Sequence, residues 1–427
     1  MLLVTYMKKG TLSSFIIPNL LVIPIILRWL LPVSIEDRLN ANIFGVYFFL
    51  PDLLYLIYIL TYKGKPTLYK NRKIAFMFLG LTFAFVLFQM LFSEGDSNYK
   101  FNLIINSFSF IYIPFIYINW PLNRDGLEKI KITLLVSLLI LCGEVLLYSL
   151  GILAYTTADG DDLTAGLYDT GGIMRISTTV GAATGTAIII LMLGCIITGY
   201  YQMGKVKLYS LFILITVTLL FTVSRGSLLI WLLYIGIYAF KKLSDLSFLK
   251  KIGFMIVLAV SLVVLNNQGV FEPLKYRMET NRTDVTTGRD DLNNEAIRLI
   301  EGTGYFGVGI GNVFPEKNIQ YKFNVPHYIG MHNTYLTYVA EIGLIGLFFL
   351  LMFYLSVIGQ LRFHKIPLSL VVICVLLISF NTEAVFVDQE YIALFFLLIT
   401  AALNFQPEVN AHNFRYHTNL QTRDLSI

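Results

Sequence analysis

Two arginines and a histidine are the residues best equipped for chemistry in this 427-residue chain: Arg225, Arg289 and His332. Ser224-Arg225-Gly226 interrupts two apolar stretches. A guanidinium at such a depth is costly, so it either faces a partner or a water-filled cavity, or it snorkels to the headgroups. Both readings of Arg225 stand. Thr287-Gly288-Arg289-Asp290 has the form of a capping box, and Leu292, Ala296, Leu299 and Ile300 recur at helical spacing until Gly302. This predicts a short amphipathic helix over 288–301 with Arg289 in its first turn. Free N–H groups and a guanidinium there can hold phosphate oxygens; the plainer alternative is a solvated surface arginine. His332-Asn333-Thr334-Tyr335-Leu336 opens the next apolar run. A neutral imidazole at that boundary can take a proton from a hydroxyl, while a cap or interfacial residue is the bland reading. His327 stands five residues earlier, and the pair lacks the carboxylates of a metal site.

Between these groups lies Gly302-Thr-Gly304-Tyr-Phe-Gly307-Val-Gly309-Ile-Gly311-Asn312. It contains GxGxxG in letters, but no strand–turn–helix unit surrounds it, so a dinucleotide site is rejected. Alternate glycines instead let the backbone turn tightly and approach a helix or a ligand closely.

The elements that must position these residues are membrane helices. The chain is 56% hydrophobic and 14% charged, with mean hydropathy +0.70; a water-soluble domain carries about a quarter charged residues. The apolar segments are continuous runs, too long for alternating barrel strands, and only helices or closed barrels satisfy their backbone in lipid. The fold class is therefore an all-α polytopic membrane protein with about twelve spans, one transmembrane domain over 1–427. The spans fall near 15–33, 43–62, 74–93, 102–120, 132–154, 179–200, 208–223, 226–240, 252–267, 334–357, 367–382 and 389–404. The first run lacks a small-residue cleavage site and should stay as a span.

Lys and Arg set the orientation. Twenty of them fall in the segments assigned to the inside, including Lys63, Lys65, Lys70, Arg72 and Lys73; apart from Arg225 at the hairpin tip, only Arg38, Lys100 and Arg175 fall in the short outer loops. Both termini, with the tail 405–427, are then cytoplasmic. The net charge of +5 is a topology signal, not a nucleic-acid signal. One connection, 268–333, is long and outside. Its seven Lys/Arg and eight Asp/Glu nearly cancel, so any anion site there rests on individual arginines. Cys142, Cys195 and Cys374 are scattered through apolar spans and read as small core residues. Arg28 and Asp52 can pair between the first two helices, while the sequence suggests no partner for Glu144.

Taken in order, these motifs resemble the O-antigen ligase and O-antigen polymerase (Wzy-type) superfamily. The resemblance rests on Ser224-Arg225-Gly226 at a helix hairpin, Gly288-Arg289, Phe306-Gly-Val-Gly309-Ile-Gly-Asn312, His332-Asn333-Thr-Tyr-Leu336, and Glu341-Ile-Gly343-Leu-Ile-Gly346, within roughly 205–350. It implies a GT-C-like glycosyltransferase of the bacterial plasma (inner) membrane. Its donor is an undecaprenyl-diphosphate-linked oligosaccharide reached through membrane lipid. Arg225 and Arg289 would bind the pyrophosphate and His332 would be the general base. Gly309, Gly311, Asn333 and Tyr335 would support them. No metal and no cofactor is implied, and a chain-length regulator and a flippase are the implied partners. The residue chemistry agrees: paired guanidiniums stabilise a departing diphosphate, and a hydroxyl acceptor needs a base near neutrality.

The middling loop and a composition rich in Ile, Phe, Tyr, Asn and Lys favour a polymerase of O-antigen, capsule or exopolysaccharide over a ligase to lipid A core. A lipid-linked sugar flippase or other transporter is the third reading. The halves of the chain show no similarity and the distinctive polar residues lie at one face, which disfavours it.

Overall fold

The computed structural model of the chain describes residues 11–30, 40–43, 46–62, 72–92, 111–153, 166–169, 174–178, 183–243, 289–309, 333–361, 366–379 and 389–404. Helices dominate. In chain order they are α1 (Thr11–Asn19), α2 (Ile23–Leu30), α3 (Leu53–Thr61), α4 (Arg72–Phe92) and α5 (111–119). Then come α6 (Arg124–Ser149), α7 (Ala183–Tyr200), α8 (Lys205–Thr222) and α9 (Arg225–Leu243), followed by α10 (Arg289–Gly302), α11 (Thr334–Ile358), α12 (Ile366–Cys374) and α13 (Gln389–Asn404).

Five described stretches are long and apolar enough to cross a membrane: Arg72–Gln89, Arg124–Ser149, Ala183–Tyr200, Lys205–Thr222 and Thr334–Ile358. Shorter apolar helices cover Leu50–Thr61, Arg225–Tyr238, Leu368–Leu377 and Tyr391–Asn404. Large apolar side chains point outward, with Leu60 75%, Leu91 77% and Val206 81% exposed. In water such a surface would aggregate; in lipid it is the ordinary exterior.

The structure departs from the expected spans at three places. Residues 43–62 do not form one helix. Asn40–Ile43 and Val46–Phe49 pair as an antiparallel hairpin, β1–β2, with Asn40 opposite Phe49 and Ile43 opposite Val46. Val-Tyr-Phe-Phe is β-branched and aromatic, which suits a strand, and the helix begins only after Pro51. The run 15–33 is two short helices broken at residues 20–22, with Pro18 just before the break. The run 367–382 changes to a π-helical turn at Val375–Ser379. A second hairpin, β3 (Gly166–Asp169) with β4 (Met174–Ser177), lies in the segment 155–178. The expected span 252–267, the loop portions 268–288 and 310–332, and the tail 405–427 lie outside the described residues.

The core is organised around α7, nearly all of which is buried. α8 and α9 pack on it as a hairpin, and α12 and α13 close its other sides. A Cβ on Gly194 would lie 2.9 Å from the Ile215 side chain, and one on Gly199 would lie 2.7 Å from Leu368. Small residues let helices approach closely where lipid offers no hydrophobic drive to associate. Trp231 donates from Nε1 to Thr216 Oγ1 at 2.9 Å across the α8–α9 hairpin, with Phe212 and Tyr234 stacked around it. α6 starts with Asn123 Oδ1 accepting the Gly126 N–H at 2.8 Å and Asp125 in its first turn. α4 and α11 lie along one another, and Gln89 near the end of α4 reaches the Phe306 carbonyl in the segment after α10.

Candidate functional site

Arg225 is the first residue of α9, half-buried, at the tight turn between α8 and α9. Val223 makes that turn possible by adopting φ 51°, ψ 30°. A β-branched residue in the left-handed region is costly, about 1–3 kcal/mol, and such outliers concentrate at functional sites. Ser224 steadies the turn: its carbonyl accepts the Leu228 N–H at 3.0 Å and its hydroxyl donates to Ser227 Oγ at 3.3 Å. The arginine thus starts a helix whose first N–H groups lie beside its own backbone, an arrangement suited to an anion.

Arg289 is the first residue of α10, and the helix ends at Gly302, within a residue of the expected 288–301. Ala296, Leu299 and Ile300 are buried against Val339 and Ala340 of α11, with Val308, Leu336 and Leu347 around them. The apolar stripe read in the sequence therefore docks α10 on the N-terminal half of α11. Arg298 and Ile297 are exposed on the other side.

Asn333 is the N-cap of α11: its Oδ1 accepts from Tyr335 N at 2.9 Å and Leu336 N at 3.2 Å. Its carbonyl accepts both the N–H and the hydroxyl of Thr337 at 2.9 Å. This residue, grouped in the sequence with the supporting site residues, has a clear structural task, the capping of two orphan donors next to position 332. Tyr335 donates from its hydroxyl to the Leu376 carbonyl at 3.3 Å, inside the π-helical turn, which ties α11 to the bundle. His332, His327 and Gly311 lie outside the described residues.

Gly309 is buried, at φ 96°, and the described part of the glycine-rich run, 302–309, bends sharply and lies against a helix. α11 breaks at Gly343, which has φ 68° and ψ 178°. Around that break, Val308 N–H donates to the Ala340 carbonyl and Gly309 N–H to the Glu341 carbonyl, each at 2.8 Å. Leu344 N–H donates to the Tyr305 carbonyl at 3.0 Å. The backbone groups released by the kink are met by the loop, as burial demands.

Gln89 of α4 is the residue that sequence reasoning missed. It is 9% exposed, and its Nε2 donates to the Phe306 carbonyl across 217 positions of sequence. The signal was a lone amide in the otherwise apolar C-terminal half of α4. The Arg28–Asp52 pairing is present: Nη2 to Oδ2 at 2.9 Å, with Tyr112 donating to the same oxygen at 2.7 Å.

Residues 210–351 match the family model described as O-antigen ligase. No curated protein matches the chain. The matched stretch runs from within α8 to residue 351 of α11, and so holds Arg225, Arg289, the glycine run, His332 and the Gly343 kink. The matched stretch, about a third of the chain, spans the motifs on which the resemblance to the O-antigen ligase and O-antigen polymerase superfamily rests.

Proposed function

We propose that this protein polymerises a surface polysaccharide, transferring the growing glycan from undecaprenyl diphosphate to a hydroxyl of another lipid-linked repeat unit. A multi-pass membrane enzyme of the O-antigen ligase and polymerase type, acting on lipid-linked polysaccharide, is the coarser reading that the family match and the apolar helices support. The middling loop and the composition rich in Ile, Phe, Tyr, Asn and Lys favour the polymerase. The observation that supports the transfer chemistry common to the polymerase and ligase readings is the setting of Arg225. It sits half-buried at a helix start, in the same matched stretch as the helix opened by Arg289 and the cap beside His332.

In the transfer, the bond between the anomeric carbon and the diphosphate oxygen breaks, and the electron pair leaves with undecaprenyl diphosphate. The bond between the anomeric carbon and the acceptor oxygen forms, and the acceptor's proton passes to His332. Arg225 and Arg289 offer planar, bidentate donors to the diphosphate as its charge grows. The preformed donor supplies the driving force.

The family model's own description favours a second reading, a ligase that moves the glycan to lipid A core. A deletion strain separates the two. Core bearing a single repeat indicates a polymerase. Bare core with long lipid-linked chains accumulating indicates a ligase and overturns the first reading.

A further inference from the structure

We propose that Gln89, Gly307 and Gly343 form a three-element lock that positions the arginine-bearing helix of the outer loop against the start of α11. The inference rests on the glycosyltransferase reading, and it assigns Gln89, which lies outside the matched stretch 210–351, a part in the reaction.

The two glycines are reciprocal. A Cβ on Gly307 would lie 2.5 Å from the Glu341 carbonyl oxygen and 2.5 Å from the Gly343 nitrogen. One on Gly343 would lie 2.5 Å from the carbonyl oxygens of Tyr305 and Phe306. All four obstacles are backbone, so no side chain can swing away, and φ of 82° and 68° strains any other residue at either place. The backbone hydrogen bonds of Tyr305, Val308 and Gly309 with Leu344, Ala340 and Glu341 then close over the kink. Gln89 adds the third element through the Phe306 carbonyl. What the lock holds is the geometry between two segments. α10 runs back from it to Arg289, and the N-terminal half of α11 runs from it to the Asn333 cap beside His332. An error of about 1 Å between reacting groups can cost about 10²-fold in rate. These are positioning residues and need not touch substrate.

The test uses the full-length protein in detergent, with its three native cysteines replaced by alanine and Val339→Cys introduced as a reporter. Val339 is 8% exposed, against the buried face of α10. Gln89→Leu and Gly343→Ala should each speed labelling of that thiol by maleimide. Each should also lower kcat for polymer formation by about 10²-fold with a much smaller change in KM. Gly236→Ala on α9, where a Cβ meets nothing within 4 Å, should move neither. Unchanged labelling in both Gln89→Leu and Gly343→Ala overturns the lock. Faster labelling with wild-type kcat shows a lock with no bearing on the reaction and overturns the positioning role. No transfer by the parent protein overturns the reaction reading and with it the proposal, while labelling still reports separately whether the contact exists.

Discussion

Arg28 and Asp52 meet at 2.9 Å between α2 and the start of α3, and Tyr112 places its hydroxyl on the same carboxylate oxygen. One carboxylate therefore serves two donors in a largely desolvated place. Asp52→Ala should destabilise the protein by about 1–3 kcal/mol, because it takes that acceptor from two half-buried donors. The loss should exceed that of Tyr112→Phe, which removes one of the two bonds and leaves the ion pair. Thermal unfolding in detergent measures both, and equal midpoints for Asp52→Ala and the parent would remove the pair from the list of stabilising contacts.

The arginines give a prediction of type as well as size. If Arg225 and Arg289 grip a diphosphate, lysine should be nearly as harmful as alanine at both positions, because a point charge does not reproduce the planar fork. The loss of each should be about 10²-fold in transfer rate. Arg282 and the exposed Arg298 are the controls and should tolerate alanine. Full activity in Arg289→Ala at normal membrane levels would return that residue to a solvated surface role.

His332→Ala should leave a folded protein whose products collapse to single repeats, a loss of about 10²- to 10⁴-fold for a missing general base. His332→Gln discriminates the roles. An amide keeps a hydrogen bond but takes no proton, so long chains made by that variant would leave His332 a positioning residue. Asn333 supplies the contrast. Asn333→Asp keeps an oxygen on the Tyr335 and Leu336 N–H groups and should retain most activity, whereas Asn333→Ala should cost about 1 kcal/mol of stability.

Orientation is open to a direct experiment. The charge bias puts 268–333 outside and 241–251 inside. In intact cells Asn318→Cys should react with an impermeant thiol reagent and Asp245→Cys should not. Labelling at position 245 would invert the topology and move the proposed chemistry to the wrong face.

Much of this protein was legible in one dimension because lipid leaves the chain so few choices. A run of apolar residues must be a helix to satisfy its own N–H and C=O groups. Hence Arg72–Phe92, Ala183–Tyr200, Lys205–Thr222 and Thr334–Ile358 lie close to where hydropathy puts them, while Arg124–Ser149 overlaps the expected 132–154 but begins eight residues earlier. The stripe Ala296, Leu299 and Ile300 and the terminator Gly302 announced α10 for the same local reason, and its partners on α11 followed from burial. The order of the motifs sufficed to suggest the superfamily that the match over 210–351 supports.

What local pattern could not decide was where backbone polar groups find partners far along the chain. Hydropathy reads Val46–Phe49 as part of a span, yet those residues pair with β1, since β-branched and aromatic side chains suit a strand as well as a helix in lipid. Nothing near Gly343 shows that the helix opens there, because the opening is tolerable only when Tyr305, Val308 and Gly309 arrive to meet the freed groups. The same is true of Gln89, whose donor acquires meaning only from a carbonyl 217 residues away. Hydrophobic period and charge bias belong to each segment alone. A released carbonyl is satisfied by whichever segment the fold brings to it, and only the tertiary structure names that segment.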